Sequence, residues 1–116
     1  MEQIDNYYMY VLLCADDTLY TGFSTDVERR FQQHVKGVGA KYTRSHRPVK
    51  ILWKEQFDSK HDALSAEYAF KQLSRAKKNQ YLAKVGIHLQ WIIEQATKSS
   101  ENYYQEVLYD KYSVRR

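Results

Sequence analysis

The stretch that decides the fold is Tyr8–His34, YMYVLLCADDTLYTGFSTDVERRFQQH. Two runs rich in β-branched and aromatic residues flank a polar segment, residues 15–18, and this pattern is typical of a β-hairpin. Thr25 or Asp26 can then cap a helix, because both side chains accept hydrogen bonds from free backbone N–H groups. The stretch therefore predicts a strand, a turn, a second strand and a helix, in that order.

The length of the hairpin loop determines which side chains share a face of the sheet. A two-residue loop at Asp16 and Asp17 would send Tyr10 and Tyr20 to opposite faces. A three-residue loop ending at Asp17 pairs Leu12 with Tyr20 and places both tyrosines on one face. Asp17 is then left-handed, a conformation that aspartate tolerates better than most non-glycine residues. A shared site for the two tyrosines requires the longer loop.

The helix predicted over residues 26–36 has apolar residues at i, i+4 and i+8, which are Val27, Phe31 and Val35. Arg30 and His34 are also four residues apart, so they lie together beside that apolar stripe. We expect both side chains at the margin of the core, where packing holds them and solvent still reaches them.

Residues 37–47 are predicted to form a polar, basic loop that contains glycine. Residues 49–57 alternate between apolar and polar, which predicts a third strand, and a helix capped by Ser59 or Asp58 is predicted over residues 60–73. Glu67 lies on the apolar stripe of that helix, and a carboxylate seldom faces a core without a cation. Lys71, one turn later, is one candidate for the cation, and Glu67 is then half of an ion pair. Alternatively, Glu67 faces the core side because it belongs to a functional site. The fold class is α/β, a small three-stranded antiparallel sheet flanked by helices.

This order of residues resembles the GIY-YIG nuclease superfamily, in particular its small single-domain bacterial branch of UPF0213-like proteins. The two motifs stand as Tyr8-Met9-Tyr10, where Tyr8 replaces the glycine, and Tyr20-Thr21-Gly22. The segments 39–44, GAKYTR, and 47–49, RPV, are similar to that branch. The resemblance covers roughly residues 7–84 and implies the GIY-YIG fold.

The resemblance implies a divalent-metal-dependent endonuclease that hydrolyses DNA phosphodiester bonds, with a role in DNA repair or recombination. Tyr10 resembles the general base for the attacking water, and Tyr20 would position that water or share the role. Arg30 would stabilise charge on the phosphate, and Glu67 would hold Mg²⁺ or Mn²⁺. His34 would orient Tyr10 or relay its proton. A free phenol has a pKa of about 10, so we expect Arg30, His34 and the metal to favour its ionised form.

The net charge of +4 is unevenly distributed along the chain. Residues 29–54 carry eight Lys or Arg and no acid, and residues 68–93 carry five and no acid. Such stretches are suited to binding a polyanion, although a run of charged residues more commonly forms an ordinary solvent-exposed surface. The predicted nucleic-acid contacts are Lys41, Tyr42, Thr43, Arg44, Arg47, Lys77, Lys78 and Asn79. The sequence does not distinguish single-stranded, duplex and branched DNA, or DNA from RNA.

The chain of 116 residues is predicted to form a nuclease-like domain, residues 1–86, and a C-terminal helical extension, residues 87–116, in which residues 88–96 are predicted to form an amphipathic helix. The sequence leaves open whether the extension packs on the domain, mediates self-association, binds a partner protein or is partly disordered. Cys14 is the single cysteine, which excludes an internal disulfide and is typical of a reducing compartment. We expect a cytoplasmic protein without membrane contact, because the sequence shows neither a signal peptide nor a long apolar run.

Two functions from other classes remain open from the sequence. The first is a catalytically weak nucleic-acid-binding module that keeps the fold and the basic surface. The second is a subunit of a larger nuclease complex, recruited through residues 87–116. A pure binding module has no need of a carboxylate such as Glu67 facing the core, so the residues favour the endonuclease.

Overall fold

The computed structural model describes residues 6–99. Three strands, β1 (Tyr7–Cys14), β2 (Leu19–Ser24) and β3 (Pro48–Phe57), form one antiparallel sheet in the order β2-β1-β3. The helices are α1 (Val27–Val35), α2 (Lys41–Ser45), α3 (Lys60–Lys71), α4 (Arg75–Lys84) and α5 (Leu89–Ser99). The predicted fold class, a three-stranded antiparallel sheet flanked by helices, is confirmed.

The β1–β2 hairpin has the three-residue loop that a shared site requires. Leu12 lies opposite Tyr20, and the backbone N–H of Cys14 donates to the carbonyl oxygen of Thr18 at 2.9 Å. Asp17 has a φ of 67°, the left-handed conformation predicted for the end of this loop. Both motif tyrosines therefore face the same side of the sheet.

The central strand β1 is buried on both faces, so its run of apolar residues does not alternate with polar ones. On one face Tyr10 and Leu12 pack against α1, through Val27, Phe31 and Val35. On the other face the core is formed with α3, α4 and α5, and its buried residues include Met9, Val11, Leu13, Phe70, Leu82 and Leu89. The sheet thus separates a core under α1 from a core under the later helices.

The ends of α1 follow its sequence closely. The Asp26 side chain accepts a hydrogen bond from the backbone N–H of Arg29 at 3.1 Å, which caps the first turn. Gly37, with a φ of 82°, follows the last turn. The segment between α1 and β3 was predicted as a loop, and this prediction was wrong in part, because it contains the short helix α2. The five residues of α2 are too few to show a periodic apolar pattern.

Helix α5 packs on the preceding elements through Leu89, which is buried in the core beside Leu82. The predicted helix over residues 88–96 corresponds to α5. Residues 100–116, which also enter the predictions of self-association and partner binding, lie outside the described residues. Between residues 6 and 99, no helix combines the length and the apolar character needed to cross a membrane.

Candidate active site

Tyr10 is buried against β2, where its ring lies over Gly22. The two residues are partners in the strand register, and a Cβ atom at position 22 would overlap the Tyr10 ring and hydroxyl. A glycine is therefore needed at position 22 for Tyr10 to lie across the neighbouring strand. This close approach explains physically why the second motif ends in glycine.

His34 of α1 is fully buried and hydrogen-bonded at both ring nitrogens. Its Nε2 lies 2.8 Å from the Tyr10 hydroxyl, and its Nδ1 lies 2.8 Å from the Thr43 hydroxyl. A Cβ atom at Gly39 would overlap the His34 ring, so the backbone of residue 39 approaches the ring closely only because it is glycine. The expectation that solvent reaches His34 was wrong, since its exposed fraction is 0%.

Tyr20 completes a compact group of three rings. Its ring centroid is 4.9 Å from that of His34 and 6.3 Å from that of Tyr10. Tyr20 is partly exposed, whereas Tyr10 is buried. Solvent therefore reaches this group from the Tyr20 side.

A column of stacked rings continues from Tyr20 towards the hairpin loop. The Tyr42 ring of α2 lies 5.9 Å from the Tyr20 ring, and the His46 ring lies 4.0 Å from the Tyr42 ring, nearly parallel to it. The Nδ1 atom of His46 contacts the Asp16 carboxylate at 2.7 Å. Hydrogen bonds from Thr18 and His46 lower the pKa of Asp16 to about 2. The column thus connects α2 to the hairpin loop.

Arg30 stands beside this group on α1. Its Nη1 donates to the Gln33 side-chain oxygen at 2.8 Å, which fixes the guanidinium partly within the surface. A polar cavity of about 150 Å³ adjoins Arg30, and it is lined by Ser24, Thr25, Asp26, Arg29, Arg30 and Gln33. The positive charge of Arg30 acts on Tyr10, Tyr20 and His34.

Glu67 of α3 acts on the same group and also forms an ion pair. Its carboxylate raises the pKa of Tyr10 and of Tyr20, in each case as a smaller effect than burial. The Lys71 ammonium lies 2.8 Å from a Glu67 oxygen, so the ion pair weighed from the sequence is present. The Glu67 side chain is 16% exposed and that of Lys71 is 47% exposed. Lys71 can therefore move into water when another cation takes its place at the carboxylate.

The protonation states differ from those expected for a cation-activated phenol. Burial, with a contribution from Tyr20, raises the pKa of Tyr10 well above its ordinary value, and Arg30 only partly opposes this. Burial and the Arg30 charge lower the pKa of His34 to about 4. At neutral pH both side chains are uncharged. Arg30 favours the ionised form of Tyr10, as expected, but burial outweighs it, and the uncharged His34 adds no positive charge.

Glu67 is a suitable ligand for a magnesium-like ion. Within residues 6–99, no three side chains from His, Cys, Asp and Glu lie close enough together to enclose a metal. Mg²⁺ commonly binds through one or two carboxylates and fills its remaining positions with water and phosphate oxygens. A single, partly exposed carboxylate with a displaceable lysine fits that requirement. The residues present therefore fit Mg²⁺ or Mn²⁺ held by Glu67.

The predicted nucleic-acid contacts divide into a surface around α2 and a second one on α4. Lys41 and Arg44 are exposed on α2, Arg47 follows it, and Tyr42 is 37% exposed. Thr43 does not fit the prediction of a nucleic-acid contact, because it is 2% exposed and its hydroxyl is used by His34.

Lys77, Lys78 and Asn79 lie on α4, which covers the opposite face of the sheet from α1. The Lys78 ammonium lies 5.9 Å from the centre of the Phe70 ring. The Asn79 side-chain oxygen accepts a hydrogen bond from Arg75 at 3.0 Å. Lys78 and Asn79 thus contact residues of α3 and α4, and these contacts do not involve the three-ring group.

Sequence reasoning missed two features of this region. The Asp16–His46 contact joins residues 30 positions apart, and no local pattern relates them. Gly39 was noted only as part of a family segment, although its lack of a side chain gives the His34 ring its space. The only sequence signal for the close approach of residue 39 to the His34 ring was a glycine in a basic loop.

Comparison with known proteins identifies the family. The sequence profile of the GIY-YIG catalytic domain matches residues 6–81. The chain belongs to the GIY-YIG family. A UPF0213 protein of Pediococcus pentosaceus is 51% identical over 86 residues, which cover 74% of this chain and 90% of that protein. A UPF0213 protein of Natronomonas pharaonis is 54% identical over 78 residues, which cover 67% of this chain and 92% of that protein.

A solved structure supports the same assignment for this GIY-YIG chain. The solution NMR structure of a protein from E. faecalis is 42% identical and has a TM-score of 0.51, with 73% of this chain and 91% of that chain covered. The resemblance to the UPF0213 branch is therefore confirmed, and the GIY-YIG domain places the protein in a nuclease superfamily.

Proposed function

We propose that this GIY-YIG protein is a divalent-metal-dependent endonuclease that hydrolyses DNA phosphodiester bonds, with a role in DNA repair or recombination. The observation that carries the proposal is the 2.8 Å hydrogen bond between the Tyr10 hydroxyl and His34 Nε2, within reach of the Arg30 and Glu67 charges. Burying a phenol and an imidazole together, beside a cation and an acid, suits acid–base chemistry on a charged substrate.

Tyr10 and His34 form a proton relay in this proposal. The attacking water gives its proton to the Tyr10 oxygen while the Tyr10 proton moves to His34 Nε2, so no free phenolate has to form. This agrees with the raised pKa of Tyr10 and with a His34 that is neutral at pH 7. Tyr20, whose ring contacts that of His34, positions the water.

Arg30 provides fixed positive charge for the scissile phosphate, because a guanidinium stays protonated at all relevant pH values. Glu67 holds the metal, with Lys71 displaced into solvent. When bound, Mg²⁺ or Mn²⁺ neutralises charge on the phosphate and the leaving oxygen. The polar cavity that Arg29 and Arg30 line gives the phosphate a place beside these two cations.

The cations around α2 supply affinity for the DNA backbone, and Tyr42 offers a ring edge beside them. These cations are Lys41, Arg44 and Arg47. The α4 group, Lys77, Lys78 and Asn79, remains a second proposed contact on another face. Cytoplasmic location is also proposed, and it is supported by the free, buried Cys14 thiol.

One observation favours the alternative of a catalytically weak nucleic-acid-binding module or a subunit of a nuclease complex. Lys71 already neutralises Glu67, so a protein in which this pair persists would bind nucleic acid without holding a metal. Exposed Trp91 on α5 supports contact of the extension, residues 87–116, with a partner protein or a second copy.

A cleavage assay on defined substrates separates the two functions. Purified protein is incubated with single-stranded, duplex and branched DNA, and with RNA, in Mg²⁺, in Mn²⁺ and in EDTA. We expect cleavage of at least one DNA substrate with either metal and none in EDTA. Binding of every substrate without cleavage of any would support the binding module instead.

A further inference from the structure

We propose that Thr43 is a positioning residue that fixes the tautomer of His34 and so leaves Nε2 free to take the proton of Tyr10. The consequence for catalysis rests on the proposed function, whereas the tautomer can be measured in the protein without substrate. Thr43 was expected at the nucleic-acid surface, and the structure instead places its hydroxyl behind the His34 ring.

The direction of the hydrogen bonds follows from the single hydrogen of the Thr43 hydroxyl. That hydroxyl donates to the Ala40 carbonyl oxygen at 3.0 Å, so its oxygen is left to accept. The donor facing it is His34 Nδ1 at 2.8 Å, which must then carry the ring proton. The other nitrogen, Nε2, has only its lone pair, and it accepts from the Tyr10 hydroxyl at 2.8 Å.

The reverse arrangement is the competitor. In it the Thr43 hydroxyl turns to His34 Nδ1, the backbone N–H of Ala40 also donates there, and Nε2 carries the proton. The Ala40 nitrogen lies 3.4 Å from Nδ1, which is long for an N–H donor, whereas the Thr43–Ala40 distance is ordinary. With its proton on Nε2, His34 could not accept one from Tyr10.

The surroundings make Thr43 difficult to replace by solvent. His34 and Thr43 are both buried, and Gly39 holds the backbone against the ring where a side chain would overlap it. Thr43 reaches back to the residue three positions earlier, a bond that Ser and Thr commonly make to a nearby carbonyl. The short helix α2 therefore delivers one hydroxyl to Nδ1.

Two substitutions at this position form the test. Thr43→Val keeps the shape of the side chain and removes the hydroxyl, and Thr43→Ser keeps the hydroxyl and removes a methyl group. Long-range ¹H–¹⁵N spectra report which ring nitrogen carries the proton, and the spectrum of His34→Gln identifies the His34 signals among those of four histidines.

We expect wild type and Thr43→Ser to carry the proton on Nδ1. Thr43→Val should lose this preference, and its kcat for DNA cleavage should fall about tenfold with KM unchanged, the effect of losing one hydrogen bond to the reacting pair. Thr43→Ser should restore most of that loss.

A wild-type spectrum with the proton on Nε2 would overturn the proposal, as would a Thr43→Val protein with unchanged tautomer and kcat. If Thr43→Val does not fold, the spectra of wild type and Thr43→Ser still decide. If no DNA is cleaved under any condition, the proposed function fails, and the spectra continue to report on Thr43 alone.

Discussion

His34 connects the burial of the site to a measurable pH dependence. Its pKa in the folded protein, about 4, lies below the ordinary value of 6.5, so the unfolded chain binds a proton more readily between these values. The protein should therefore lose stability as pH falls from 6.5 to 4. The free energy of unfolding contributed by this residue should decrease by up to roughly 3 kcal/mol over that window.

Urea unfolding at several pH values measures this loss. His34→Gln keeps a polar group next to the Tyr10 hydroxyl and removes the titration. Its free energy of unfolding should fall less steeply than that of wild type between pH 6.5 and pH 4, and the two curves should be parallel above pH 6.5. Curves that stay parallel down to pH 4 would mean that His34 titrates as it does in the unfolded chain.

For single residues, the sequence predicted which side chains belong to the candidate site better than it predicted their surroundings. Tyr10, Arg30 and His34 could be proposed from their spacing because helix and strand periods are local properties. The raised pKa of Tyr10 could not, since it results from burial by α1 and β2 together. The role of Thr43 was missed for the same reason, because its partner is nine residues away in another helix.

Among the elements, those with local signals were predicted and the one without was not. The hairpin was predicted from its turn residues, and the structure has the three-residue loop, one of the two that the sequence left open, with Asp17 left-handed as that loop requires. The caps at Asp26 and Ser59 began α1 and α3, where both side chains accept backbone N–H bonds. Helix α2 is too short to show a period, and only its packing against α1 and the ring column reveals its purpose.

Helix α2 also carries the electrostatic prediction for DNA binding. Replacing Lys41, Arg44 and Arg47 together with Ala should weaken binding, because fewer phosphates are then neutralised. The slope of log K against log salt should become shallower by roughly 0.9 for each duplex phosphate that the variant no longer neutralises. The measurement is a salt titration of binding to one duplex.

Exposed Lys60 and Lys84 provide the control for this titration, because they lie at the start of α3 and the end of α4. Their joint replacement with Ala lowers the net charge without touching the α2 surface. The slope of this control should remain near that of wild type. An unchanged slope in the α2 variant would show that this surface does not touch the DNA backbone.

Over the whole molecule, the sheet places the site and the later helices in different layers. The three-ring group and α2 lie on the α1 face, whereas α4 and α5 pack on the other face. Glu67, from α3, acts on the phenols of the α1 face and so links the two layers. The site therefore draws residues from both faces of the sheet, and all of them, from Tyr10 to Glu67, lie within the family match over residues 6–81.

Glu67 is the residue on which the proposed metal-dependent cleavage depends. Its partner Lys71 is half-exposed, so Glu67→Gln should change the free energy of unfolding by less than about 1 kcal/mol. The exposed Asp62→Asn removes an acid from the same helix and serves as the matched control. Both variants should bind DNA as wild type does, because the cations supply affinity.

Cleavage and thermal melting of wild type, Glu67→Gln and Asp62→Asn, each with and without Mn²⁺, test whether Glu67 holds the metal. We expect Glu67→Gln to lose cleavage and any Mn²⁺-dependent rise in Tm while keeping its metal-free Tm, and Asp62→Asn to keep all three. A Glu67→Gln protein that melts much earlier than wild type and still cuts DNA would contradict this expectation, because Glu67 would then be half of a structural ion pair and not a metal ligand.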